Sequence, residues 1–284
     1  MRVVRTDDAA AFLGLAGPLL HRDEARNNLI LGIAATMVAD PKAYEAHDGW
    51  VVLDPDPVAA AIRTPPRHLV LGDPAELDAM AVLADAVRED VPNLPGVTGT
   101  RPGVDAFVAA WTTATGQTAR TLMRQGVYAL EHVVDVPRAG GVPRLATRRD
   151  RDLVVGWMAA FAREATPEDE IIEEELVRFL EGRLESEDAG YRLWVVGEKP
   201  VSLAGYQAAT GTGMRVGPVY TPPEQRQQGY ATSLVAELSR HLLERGYRAC
   251  YLYTDLDNPT PNEIYESIGY RQVAESRMVA FEAP

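Results

Sequence analysis

Positions 219 to 232 read Val219-Tyr220-Thr221-Pro222-Pro223-Glu224-Gln225-Arg226-Gln227-Gln228-Gly229-Tyr230-Ala231-Thr232. An apolar strand passes through a polar loop into a helix. The first N–H groups of a helix have no partner within it, and they sit at its positive dipole end, so they attract an anion. Gly229 and Ala231 lack bulk, which lets a diphosphate approach the main chain. Arg226 adds a permanent charge that can fork onto phosphate oxygens. The stretch is suited to holding a diphosphate-bearing ligand.

A second cluster follows at Asn258-Pro259-Thr260-Pro261-Asn262-Glu263-Ile264-Tyr265-Glu266-Ser267-Ile268-Gly269-Tyr270. Taken alone, Tyr265 reads as a helix tyrosine packed on a core. The two clusters together resemble the GNAT superfamily of acetyltransferases. Its signature is Arg or Gln, two residues, Gly, one residue, then Gly or Ala, which Arg226-Gln227-Gln228-Gly229-Tyr230-Ala231 matches in full. The later helix of that family carries an Asn near its start, a Tyr facing the thioester and a Gly-aromatic pair beyond its end. Asn258 or Asn262, Tyr265 and Gly269-Tyr270 stand at those places.

The resemblance implies direct transfer of an acetyl group from acetyl-CoA to an amine, with no covalent enzyme intermediate and no metal. The diphosphate is assigned to the main chain around Gln228, Gly229, Tyr230, Ala231 and Thr232, with Arg226 helping. Asn258 and Asn262 are further cofactor-side candidates. The pantetheine arm is expected to add to the strand edge near Val219, whose N–H is the candidate donor to the thioester oxygen. Tyr265 is the candidate general acid for the departing thiolate. The general base stays open: residues 214–220 contain no carboxylate, and Glu173-Glu174-Glu175 reads more simply as a solvated helix face.

These groups need a scaffold. Ala231, Leu234, Val235, Leu238 and Leu242 recur at three-four spacing, which predicts an amphipathic helix over about 229–245 with Gly246 ending it. Ala249-Cys250-Tyr251-Leu252-Tyr253-Thr254 reads as the next strand, with Cys250 as a small core residue. Helices are expected over 151–163 and from Pro167, where Glu168, Asp169 and Glu170 complement the dipole.

The chain also looks duplicated. Gly49-Trp50-Val51-Val52-Leu53-Asp54-Pro55-Asp56-Pro57-Val58 and Leu193-Trp194-Val195-Val196-Gly197-Glu198-Lys199-Pro200-Val201 both predict a strand, a tight turn and a second strand. A helix precedes each hairpin (residues 23–37 in the first half), and an extended segment follows each (His68-Leu69-Val70-Leu71, then residues 214–220). Proline and glycine in Val136-Pro137-Arg138-Ala139-Gly140-Gly141-Val142 mark the boundary, and residues 126–134 before it alternate as a strand does. The expected fold is a mixed α/β (α+β) tandem: a degenerate GNAT-like domain over 1–135 and an intact one over 142–284. Each would be a mixed, mostly antiparallel sheet flanked by helices. In the first half, Pro95-Gly96-Val97-Thr98-Gly99-Thr100-Arg101-Pro102-Gly103-Val104-Asp105-Ala106 is the nearest counterpart of the Arg226 loop. It puts proline where an N–H donor is wanted.

Composition bounds the partners. With 46% hydrophobic and 24% charged residues the chain is an ordinary globular sequence, and one cysteine excludes an internal disulfide and a cysteine-based zinc cluster. The formal net charge of −13 argues against nucleic acid and suits a cationic amine. No membrane-length apolar run and no leader-like segment occurs, so a cytoplasmic protein with no membrane partner is expected. The acceptor is a small-molecule or peptide amine, and a homodimer is a possible assembly. A non-catalytic acyl-CoA sensor and a transferase of a longer acyl group remain as alternatives.

Overall fold

A computed structural model describes residues 1–165, 177, 180, 183–184, 189–207 and 209–283. It divides into two compact units. One comprises Met1–Tyr128, Tyr253–Pro259 and Gln272–Pro284; the other comprises Ala129–Leu252 and Thr260–Arg271.

The first unit begins β1 (Arg2–Thr6), α1 (Ala9–Leu20), α2 (Glu24–Ala39), β2 (Asp48–Asp54) and β3 (Asp56–Arg63). It continues β4 (Leu69–Leu71), α3 (Ala79–Asp90), β5 (Gly96–Thr100), α4 (Gly103–Thr115) and β6 (Thr118–Leu130), with Ala129 and Leu130 grouped in the second unit. Aspartates start the first two helices: Asp8 accepts from the Ala10 and Ala11 N–H groups at 2.8 and 3.0 Å, and Asp23 from Arg26 N–H at 3.1 Å. Along β2 the side chains alternate. Trp50 and Val52 join the core beneath α3 and α4, and Val51 joins the core beneath α1 and α2. Helices therefore cover both faces.

The sheet of this unit includes a strand from far along the chain, β12 (Arg271–Glu282). It pairs antiparallel with β5 from Ser276↔Thr100 to Ala280↔Gly96. Val279 and Phe281 enter the same core, and Phe281 stacks on Trp111 with ring centroids 5.3 Å apart.

The second unit holds β7 (Val142–Leu145), α5 (Arg151–Ala165), β8 (Gly190–Val196), β9 (Lys199–Gln207) and β10 (Gly213–Tyr220). α6 (Tyr230–Glu244), β11 (Ala249–Asp255) and α7 (Pro259–Ile268) follow, with the last residues of β11 and Pro259 grouped in the first unit. The fold is mixed α/β. Its element order repeats, and both predicted hairpins form, as β2–β3 and β8–β9. Leu234, Val235, Leu238 and Leu242 of α6 are buried as their spacing predicts, against β8, β9 and β10. The helix expected from Pro167 and the run Glu173-Glu174-Glu175 lie outside the described residues.

One expectation is corrected. By element order, β4–α3–β5 corresponds to β10–α6–β11, so the counterpart of the Arg226 loop is residues 72–78, not residues 95–106. The glycine content of residues 95–106 places the comparison one connection too far. The true counterpart, Gly72-Asp73-Pro74-Ala75-Glu76-Leu77-Asp78, is acidic. Three of its N–H groups are already used: Gly72 donates to Ala60 O at 2.8 Å, Asp73 to Asn27 Oδ1 at 2.7 Å and Ala75 to Val58 O at 2.8 Å. The first N–H groups of α3 are likewise taken by the carbonyls of Glu76, Leu77 and Asp78. Phosphate would meet carboxylates there.

Asp150 ties β7 to the start of α5. It takes two 2.7 Å hydrogen bonds from Arg144 and one of 2.9 Å from Thr147 N–H. These bonds, the Arg144 pair foremost, hold its carboxyl down at about 2 from an ordinary 3.8. A depressed carboxylate stabilises the fold above its unfolded pKa, and the contribution disappears as pH falls through the folded value. Asp150→Asn is expected to cost on the order of 1–2 kcal/mol at pH 7, discounted for the exposure of Arg144. The cost should shrink between about pH 4 and pH 2, which urea unfolding across that range would measure.

Candidate active site

β10 is distorted where the site lies. Its antiparallel register with β9 shifts between Val216 and Val219, so β10 carries one residue more than its partner there. The extra length falls on Gly217-Pro218. Gly217 has φ +137°, and a Cβ on Gly205 opposite would lie 2.7 Å from the Gly217 carbonyl oxygen, so both places require glycine. On its other side β10 pairs parallel with β11 only from Gly213↔Ala249 to Arg215↔Tyr251. β10 continues to Tyr220, and among the described residues the parallel ladder does not. Val219 sits just past the bulge, opposite Ala204 and half-buried, on this unladdered length.

The loop then turns back on itself. Pro223–Gln225 form a single 3-10 turn, Gln227 adopts φ +62° and Gly229 φ +75°, and α6 begins at Tyr230. No side chain caps the helix and its first turn has no acid. The first helical bond is from Ser233 N–H to Gly229 O at 3.0 Å. Among the described residues the N–H groups of residues 227–232 have no acceptor. Predicted residues Gln228, Gly229, Tyr230, Ala231 and Thr232 are all within this run. The Gln228 side chain does not plug it, because Gln228 Oε1 accepts from the Tyr230 hydroxyl at 2.9 Å.

Arg226 is engaged elsewhere. Its Nε donates to Thr221 O at 2.9 Å, and one terminal nitrogen lies 2.8 Å from both carboxylate oxygens of Glu164. The guanidinium carbon stands 5.9 Å from the centre of the Tyr220 ring. Tyr220 in turn meets Trp157 of α5 at 6.1 Å between centroids. Burial and the nearby Glu164 raise the Tyr220 phenol above its ordinary pKa. Glu164 and Trp157 have no signal in the sequence beyond the amphipathic pattern of α5, because a single ion pair has no period.

Tyr265 lies on the buried face of α7, edge-on to Tyr270 with centroids 5.9 Å apart. Burial pushes its phenol up to about 12, so it stays protonated at neutral pH. Its hydroxyl has no hydrogen-bond partner among the described residues and is not one of the sealed polar atoms. Tyr270 is tied down instead, 2.8 Å from Ser239 Oγ. Asn262 is half-buried in α7, whereas Asn258 is exposed just before it and belongs to the first unit. Cys250 donates to Ser239 O at 3.8 Å, and burial raises its thiol to about 12, so it is an inert core residue.

The bulged β10 thus leaves its parallel neighbour β11 and leads into the uncapped start of α6. Solved structures described as GNAT proteins superpose on nearly all of the chain. It has the GNAT fold. Residues 196–279 match the family described as FR47-like protein. A GNAT-family acetyltransferase from Colwellia psychrerythraea superposes with TM-score 0.60 at 11% identity, covering 100% of both chains. A GCN5-related N-acetyltransferase from Sphaerobacter thermophilus gives TM-score 0.61 at 15% identity, over 99% of this chain and 95% of the other. A tandem GNAT protein from the clavulanic acid biosynthesis pathway gives 0.55 at 15% identity, over 99% and 98%. None of the curated proteins matches the chain in sequence. The tandem likeness agrees with the repeated element order, and the residues that match the family model lie in the second half of the chain.

Proposed function

We propose that the second unit is an acetyl-CoA-dependent N-acetyltransferase acting on a primary amine of a small molecule or peptide. The observation that carries this is the run of acceptor-free N–H groups over residues 227–232, beside the unladdered length of β10. Main-chain donors at a helix start suit a diphosphate. The strand edge near Val219 suits the amides of a pantetheine arm.

Residues of this chain then have separate tasks. The edge at Val219 fixes the thioester carbonyl and offers an N–H to its oxygen as the amine nitrogen attacks the carbonyl carbon. The C–S bond breaks as the C–N bond forms. Tyr265 gives its phenolic proton to the departing sulfur and regains one from solvent. The amine gives up its proton to solvent water, with no base of this chain assigned.

The test is thiol release from acetyl-CoA by the purified protein with a panel of amines. Acceptor-dependent release is expected, with an acetylated amine as the second product. Tight acetyl-CoA binding without release on any amine would favour a non-catalytic sensor. Absence of binding to every coenzyme A thioester would remove the reading altogether.

A further inference from the structure

Arg226 fills the charged position of the loop signature, yet two of its three donor nitrogens are engaged within the chain. Nε is spent on Thr221 O at 2.9 Å, and one terminal nitrogen on both oxygens of Glu164 at 2.8 Å. The guanidinium also lies over the Tyr220 ring, whose other neighbour is Trp157. The Glu164 and Trp157 contacts join α5 to the strand-to-loop segment at Tyr220–Arg226. Gln227 next in sequence is the one non-glycine residue with positive φ among the described residues, at +62°. Such a conformation persists only where its surroundings impose it. A clamped Arg226 fixes the entry to that residue, and with it the direction of the amides that follow.

We infer that Glu164 and Arg226 are a positioning pair: Arg226 holds the diphosphate loop against α5 through Glu164 and is not itself the main phosphate ligand. This rests on the reading of residues 227–232 as a diphosphate cradle. The pair is half-exposed, at 50% for Glu164 and 43% for Arg226, so its influence on affinity is moderate.

The experiment measures acetyl-CoA affinity by calorimetry, with kcat and KM, for Glu164→Gln, Arg226→Gln and the exchanged double variant Glu164→Arg/Arg226→Glu. Each single variant is expected to raise Kd about three- to fivefold and to raise KM equally, with kcat nearly unchanged. The exchanged pair should recover affinity to within about twofold of wild type, since an ion pair works in either direction. Unchanged melting temperatures for the single variants would separate loop position from general stability. If Glu164→Gln leaves Kd unchanged or tightens it, or if the exchanged pair binds worse than Arg226→Gln, Arg226 is a phosphate ligand and the inference is overturned. Failure of wild type to bind would remove the cradle and the pair together. Failure of rescue alone removes only the pair.

Discussion

Tyr265→Phe is expected to lower kcat by about 10²-fold or more, while the Kd for acetyl-CoA stays within about twofold. The substitution removes one oxygen. The ring keeps its edge contact with Tyr270, and the lost hydroxyl has no hydrogen bond among the described residues, so no buried partner is orphaned. Stability should therefore change little, and thermal melting checks this. A general acid must carry its proton when the sulfur departs. With its phenol raised to about 12 by burial, Tyr265 does so across the working range, and deprotonation removes activity only as pH approaches that value. The kcat profile of wild type should consequently show no alkaline fall due to Tyr265 below about pH 11. A drop in affinity as large as the drop in kcat would instead make Tyr265 a packing residue.

Ala231→Glu should separate binding from stability in the opposite way. Ala231 is in the first turn of α6, which has no acid and no side-chain cap. A carboxylate there can accept the open N–H groups itself and favours the positive end of the helix by about 0.3–1 kcal/mol. Melting temperature is expected to hold or rise. A diphosphate would lose those donors and face a like charge, and charge-assisted hydrogen bonds contribute about 1.5–3 kcal/mol each. Loss of one or two weakens acetyl-CoA binding about 100-fold. Calorimetry and melting on the same sample decide it. Binding within about threefold of wild type places the diphosphate elsewhere, and a fall of many degrees in melting temperature means the turn has been broken.

The features legible in the residues are those set by local pattern. The glycine and alanine of the Arg226 loop, the three-four spacing of α6 and the two Trp-Val-Val hairpins are each determined within about 20 residues of chain. The pattern starts α2 at Asp23, and Asp23 proves to be the cap just outside Glu24–Ala39. β6 shows the limit. Alternation marks a strand only from Gly126 onward, yet β6 begins at Thr118, in residues too polar to alternate, and ends at Leu130. α1, Ala9–Leu20, gives no periodic signal, since alanine and leucine all round it leave no polar stripe. Two further features leave no sequence trace for a deeper reason. The Glu164–Arg226 pair joins positions 62 apart, and β12 joins β5 across a still longer separation. Neither leaves a mark on the residues between.

The place of β12 beside β5 has a consequence for biosynthesis. Ser276 reaches Gly99 O over a separation of 177 residues, and all of residues 129–252 are made in between. At about 5–20 residues per second, β5 waits roughly ten to thirty seconds on the ribosome before its neighbour exists. Throughout that interval the nascent first half presents an unpaired strand edge, of the kind that recruits chaperones or strays into aggregation. Folding of the older repeat is thus timed by translation of the younger one.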